Sequence, residues 1–177
     1  MKNLLYIAYN YVIYSFFGWA LEEVYSYIVT GRLKEDGFLS GPFKPMYGIA
    51  SIIIIYCYKI LKIRGISFAI IATIVPTAVE LLSGLILKRM FNKQYWHYEN
   101  IPFNYQGLIC LKFSLYWAIL IMTLVKFILP ITDYIYYKAI NIFEYLVPIF
   151  IVYLFVDLIA TIDRLNRIRI WGCRTKK

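Results

Sequence analysis

Polar and apolar residues do not alternate along this chain. The apolar ones run on, over residues 4–29, 46–61, 66–87, 107–129 and 142–162, with short polar segments between. A helix that crosses a bilayer needs about 20 apolar residues, and each run is read as one such helix. The second is the shortest. The stretch 130–141 is too short to cross alone; it extends a neighbouring helix or lies at the interface, where its tyrosines fit. The pattern predicts an all-α, polytopic membrane bundle of five transmembrane helices. They form one transmembrane domain over 1–177, ending in a basic tail at 163–177.

Composition narrows the picture in the same direction. Hydrophobic residues make up 62% of the 177, charged residues only 16%, and mean hydropathy is +0.65. A soluble domain is about half apolar and a quarter charged, so a lone soluble domain is excluded, as are disorder and a disulfide scaffold. The three cysteines, Cys57, Cys110 and Cys173, lie far apart without a C-x-x-C pair and read as free thiols. The first run exceeds the 7–15-residue core of a cleavable signal and is read as a retained helix.

The net charge of +9 does not imply a nucleic-acid partner, because the basic residues sit at the ends of apolar runs. Membrane lipids are the partner this distribution fits. Twelve lysines and arginines fall on the side of the first loop, the third loop and the tail, six on the other, with Lys112 inside the fourth helix. The bias places the N-terminus outside and the C-terminus in the cytoplasm. The tail, with Arg164, Arg167, Arg169, Arg174, Lys176 and Lys177 among apolar residues, reads as a topology anchor on anionic lipid.

Charges inside apolar helices mark candidate chemistry, since each costs about 2.5–3.5 kcal/mol at a helix centre. Glu22 and Glu80 fall roughly 10 Å inside the cytoplasmic boundary, and Lys112 and Asp157 roughly 7 Å inside it. All four thus occupy one leaflet. A buried ion-pair network, with Glu80–Lys112 as one pair, is the structural alternative, and Lys112 near the interface has the further option of snorkelling. Of the adjacent Glu22 and Glu23, Glu22 is taken as the inward one. Helices one and three form a weak internal repeat: each carries a glutamate, then a polar loop with proline, then a glycine opening the next helix.

The loop over 37–48, rich in proline and glycine, is a rigid entry to helix two. It is either an anion-receiving set of amides beside Lys44 or a re-entrant turn that only shapes the hairpin. The loop over 95–107 carries Tyr95, Trp96 and Tyr98, which suit an aromatic girdle. His97 and Glu99 form an H-x-E triplet without the C-x-x-C of a deaminase zinc site, so no metal and no cofactor is expected. The sequence holds no G-x-x-x-x-G-K-[ST] and no G-x-S-x-G.

Several short motifs together resemble one family. Gly18-Trp19-Ala20-Leu21-Glu22 matches G-W-x-x-E, and 41–48 matches G-P-x-x-P-x-Y-G. Glu80 and Gly84 match E-x-x-x-G, 102–111 matches P-x-N-x-x-G-x-I-C-L, and Ser114 with Trp117 matches S-x-x-W. These resemble the bacterial family named putative ABC-transporter type IV permease, across about two-thirds of the chain. Its usual W-D-Y-S reads Trp96-His97-Tyr98-Glu99 here, and the glycine that often follows the S-x-x-W tryptophan is Ala118. The resemblance implies a small polytopic membrane protein without a settled substrate or mechanism.

The expectation is therefore a permease-like component that binds a small polar or amphipathic molecule in a cytoplasmic-leaflet pocket. Its candidate lining is Glu22, Glu80, Lys112 and Asp157, with Trp19, Tyr47, Trp96 and Asn104 from the motifs. ATP-driven transport would need a separate ATPase subunit, and five helices call for a homo-oligomer or heteromeric complex. Two alternatives stand beside it: a membrane-embedded enzyme acting on a lipid headgroup through a buried carboxylate, and a ligand-free structural or regulatory partner. The Ile-, Lys- and Tyr-rich, Ala-poor usage fits an AT-rich bacterial genome, with the cell membrane as the address.

Overall fold

A computed structural model of the protein describes residues 2–33 and 37–174, with side chains over 3–33 and 37–168. Lys34, Lys176 and Lys177 lie outside the described residues, as do the side chains of Arg169 and Arg174. The helices are α1 (Lys2–Thr30), α2 (Pro45–Lys59), α3 (Gly65–Phe91), α4 (Leu111–Thr123), α5 (Leu129–Lys138) and α6 (Ile140–Arg174). A π-turn, Leu124–Ile128, joins α4 to α5, and β1 (Asn104–Tyr105) pairs antiparallel with β2 (Ile109–Cys110) just before α4.

Four stretches are long and apolar enough to cross a membrane: Asn3–Thr30, Gly65–Phe91, Leu111–Lys138 and Ile140–Ile168. α3 shows why. Phe68, Ala72, Pro76, Glu80, Gly84, Leu87 and Phe91 form a buried stripe, while Ile66, Ile70, Ile74, Leu82 and Ile86 on the other faces are more than half exposed. A helix that is apolar on its buried and its exposed faces belongs in lipid.

The segment 130–141 extends its neighbour, one of the two places foreseen for it. α4 and α5 make one continuous rod. The π-turn ends two residues before Pro130, whose missing N–H cannot close the usual bond back to residue 126, so the ladder widens there instead of breaking. The fourth run also starts later as helix than expected, at Leu111 in place of 107, because residues 104–110 form the β-hairpin.

α2 differs most from expectation. Its 15 residues make about 22 Å of helix, against a hydrocarbon core of about 30 Å. The backbone N–H of Lys44 donates to the carbonyl of Ser15 at 2.9 Å, so α2 begins level with the middle of α1. The preceding segment 37–44 has therefore run back alongside the bundle. It packs Leu39 and Phe43 against Val12 of α1 and Leu154 of α6. Asp157 of α6 accepts the N–H groups of Ser40 at 3.2 Å and Gly41 at 2.8 Å.

Around this break α1 packs on α2 and α6, α2 on α3, and α3 on α4. Glycines set the closest approaches. A Cβ at Gly18 would strike the Tyr47 ring, and one at Gly48 would strike Ser15 and Tyr11, so α1 and α2 lie backbone to side chain without a gap. At the far end Lys59 pairs with Asp133, and the Tyr6 hydroxyl donates to the same carboxylate at 2.5 Å, tying α1, α2 and α5 together.

Candidate functional site

Two glutamates expected in one leaflet do meet around one space, and each is held differently. Glu22 of α1 forms an ion pair with Lys44 at 2.8 Å, both side chains largely buried, and the Tyr47 hydroxyl faces the same carboxylate. Glu80 of α3, 3% exposed, has neutral donors instead. Tyr98 donates its hydroxyl to one carboxylate oxygen at 2.9 Å, and the Trp117 indole N–H donates to the other at 3.0 Å. Tyr98 lies in the loop after α3. Burial, then the adjacent Glu80 carboxylate, push its hydroxyl well above the ordinary range, so it remains a proton donor.

The loop that delivers Tyr98 folds inward. The Trp96 indole N–H donates to the Leu108 carbonyl at 2.8 Å, and Leu108 is fully buried. Gly84, one turn beyond Glu80, leaves the room this needs, since a Cβ there would press on Leu108 at 2.9 Å and Trp96 at 3.2 Å. Asn104 holds the hairpin: its side-chain amide donates to the carbonyl of Ile101 at 2.8 Å, and its oxygen accepts the Gly107 N–H at 3.1 Å.

Both carboxylates line a cavity of about 590 Å³ between α1 and α4, with Tyr47, Trp96, Tyr98 and Trp117 among its walls. A smaller apolar cavity of about 150 Å³ shares Tyr47 and Trp117 and continues deeper, past Ala50 and Pro76. A third space of about 530 Å³ lies on the other side of the ion pair, lined by Lys44, Trp19, Glu23, Lys93 and Arg164. The Glu22–Lys44 pair therefore stands between an aromatic cavity and a polar vestibule.

The candidate residues thus divide. Glu22, Glu80, Tyr47 and Trp96 surround the aromatic cavity, and Trp19 lines the vestibule. Lys112 is exposed, with its ammonium 5.8 Å from the Tyr116 ring centre, and makes no pair with Glu80. Asp157 anchors the 37–44 segment, and Asn104 anchors the hairpin. His97 is exposed. Lys44, Tyr98 and Trp117 were absent from the candidate lining, although all three stand in the motifs or loops singled out above.

These features define a helical integral membrane protein with a charged, aromatic cavity reached between two of its helices. The chain belongs to the family described as "Putative ABC-transporter type IV", whose model matches residues 9–162. No curated protein and no solved structure matches it.

Proposed function

We propose that the protein is a permease-like membrane component that binds an amphipathic small molecule in the cavity between α1 and α4. The observation that carries this reading is the ion pair between two spaces. Glu22 lines the aromatic cavity and its partner Lys44 lines the polar vestibule, so the pair spans the boundary between the two spaces. The broken second crossing supports it, because transporters place binding sites where a helix is interrupted and loops fold inward. In this reading α2 and the re-entrant segment 37–44 together make the fifth crossing of a single domain, with the N-terminus outside and the vestibule in the cytoplasm. Energy for transport comes from a separate ATPase subunit, and a homo-oligomer or heteromeric complex of the bacterial cell membrane completes the path.

Gentle purification from native membranes, with mass spectrometry of every co-purifying protein and lipid, tests the assembly. The expected result is a stoichiometric ATP-binding subunit. Recovery of the chain alone, with turnover of one lipid class, would replace this reading with a lipid-active enzyme. The site is tested separately: Glu22→Gln and Glu80→Gln should impair ligand binding and cellular function while the protein stays folded. Intact binding and function in both variants would overturn it.

A further inference from the structure

The same cavity carries information about the charge of its occupant. Of its two carboxylates, Glu22 is neutralised by Lys44, whereas among the described residues Glu80 is contacted by the neutral donors Tyr98 and Trp117. No lysine or arginine is among the described residues that line the space. Lys112, the charge expected there from the sequence, is exposed and is not among the lining residues; its ammonium stands 5.8 Å from the centre of the Tyr116 ring, at the outer edge of the cavity wall. The cavity therefore holds one carboxyl group without a cationic partner among the described residues, in a lining that includes the Trp96, Tyr98 and Trp117 rings.

Rings and a carboxylate together recognise one chemistry. The face of Trp or Tyr attracts a cation, most strongly where water is excluded, and an uncompensated carboxylate in low dielectric favours the same charge over long range. An anionic headgroup finds no cation among the described residues of this lining. A phospholipid, whatever else its headgroup carries, would bring a phosphate into a space whose described lining has no lysine or arginine to meet it. The apolar extension past Ala50 and Pro76 takes a hydrocarbon tail.

We propose that the cavity selects a monocationic amphiphile, an ammonium group on a single apolar tail, with Glu80 as its counter-charge and Tyr98, Trp96 and Trp117 as its aromatic wall. This rests on the reading of the cavity as a binding site for an amphiphile, and adds the sign and kind of headgroup.

The test compares three probes of equal tail length, octyltrimethylammonium, octanol and octyl sulfate. They bind to the full chain in nanodiscs of uncharged digalactosyldiacylglycerol, read by tryptophan fluorescence with empty discs as the partition blank. The ammonium is expected to bind about tenfold or more tighter than the other two. Glu80→Gln should remove most of that preference, weakening the ammonium far more than octanol. The headgroup comparison on the wild-type chain needs no variant, so it holds even if Glu80→Gln fails to fold. Equal binding of all three probes would overturn the charge selection while leaving an amphiphile site in place. Binding of none would overturn the site itself. Preference for octyl sulfate, or a tightly co-purifying phospholipid that the ammonium does not displace, would overturn the proposal in favour of an anionic headgroup.

Discussion

Glu22 and Glu80 show how two residues of one type, placed alike in sequence, acquire different energetics. Glu22 depends on a charge brought from the loop before α2, so the pair is strong only while both partners are present. Removing one member of a buried pair strands the other without compensation and typically costs about 3–5 kcal/mol, whereas removing both is often close to neutral. Lys44→Met should therefore destabilise the folded bundle by about 3 kcal/mol, and Glu22→Gln in that background should restore most of the loss. Reversible unfolding in bicelles measures both. A double variant as unstable as Lys44→Met alone would mean the ion pair is not what holds the re-entrant segment. Among the described residues Glu80 has no such charged partner to lose; its two donors, Tyr98 from the loop after α3 and Trp117 from α4, are both neutral.

At the scale of elements, the apolar runs made the long helices legible, since α1, α3, the α4–α5 rod and α6 all announce themselves by length. α2 was legible as an apolar run but not as a half-crossing, because nothing in its hydropathy records that Lys44 bonds to Ser15. The same limit explains Asp157. Its depth in the last helix was readable, but its partners are backbone amides 116 and 117 positions away, and amides leave no trace in side-chain pattern. Lys112 was placed inside a helix that was expected to start at 107. The hairpin occupies those residues, so Lys112 falls in the first turn of α4, where its side chain is exposed. These bonds give Asp157 a checkable role. Hydrogen bonds to a charged acceptor contribute about 1.5–3 kcal/mol each, so Asp157→Ala should release segment 37–44. Amide exchange at Ser40 and Gly41 should rise about tenfold or more, while exchange in α3 stays unchanged. Unaltered protection at both amides would show that Pro42, Pro45 and the packing of Leu39 and Phe43 fix the segment unaided.

For the whole molecule, the two ends carry unlike electrostatics. Arg32, Lys88, Arg89, Lys93, Arg164 and Arg167 gather at the end that holds the vestibule, near the entrance to the re-entrant segment. The opposite end has Lys59, Lys62, Arg64 and Lys138, of which Lys59 is paired with Asp133 and Arg64 folds onto the Tyr58 ring with its guanidinium 3.5 Å from the ring centre. Topogenesis responds to lysine and arginine near the ends of spans, with little weight for acidic residues. In the proposed orientation the richer end is the cytoplasmic one, which would put the vestibule on the side where the proposed ATPase subunit docks. The proposed orientation also sets the direction of access: the aromatic cavity lies against the C-terminal half of α1, and a ligand entering between α1 and α4 would then come from the inner leaflet. Single cysteines in a background without Cys57, Cys110 and Cys173 test it directly. A membrane-impermeant maleimide on intact cells should label Leu61→Cys and Lys138→Cys, and should reach Arg32→Cys and Lys93→Cys only after permeabilisation. The reverse pattern would place the vestibule outside, and the Glu22–Lys44 pair would then separate the cavity from the external medium, making the protein a receiver of ligand from outside the cell.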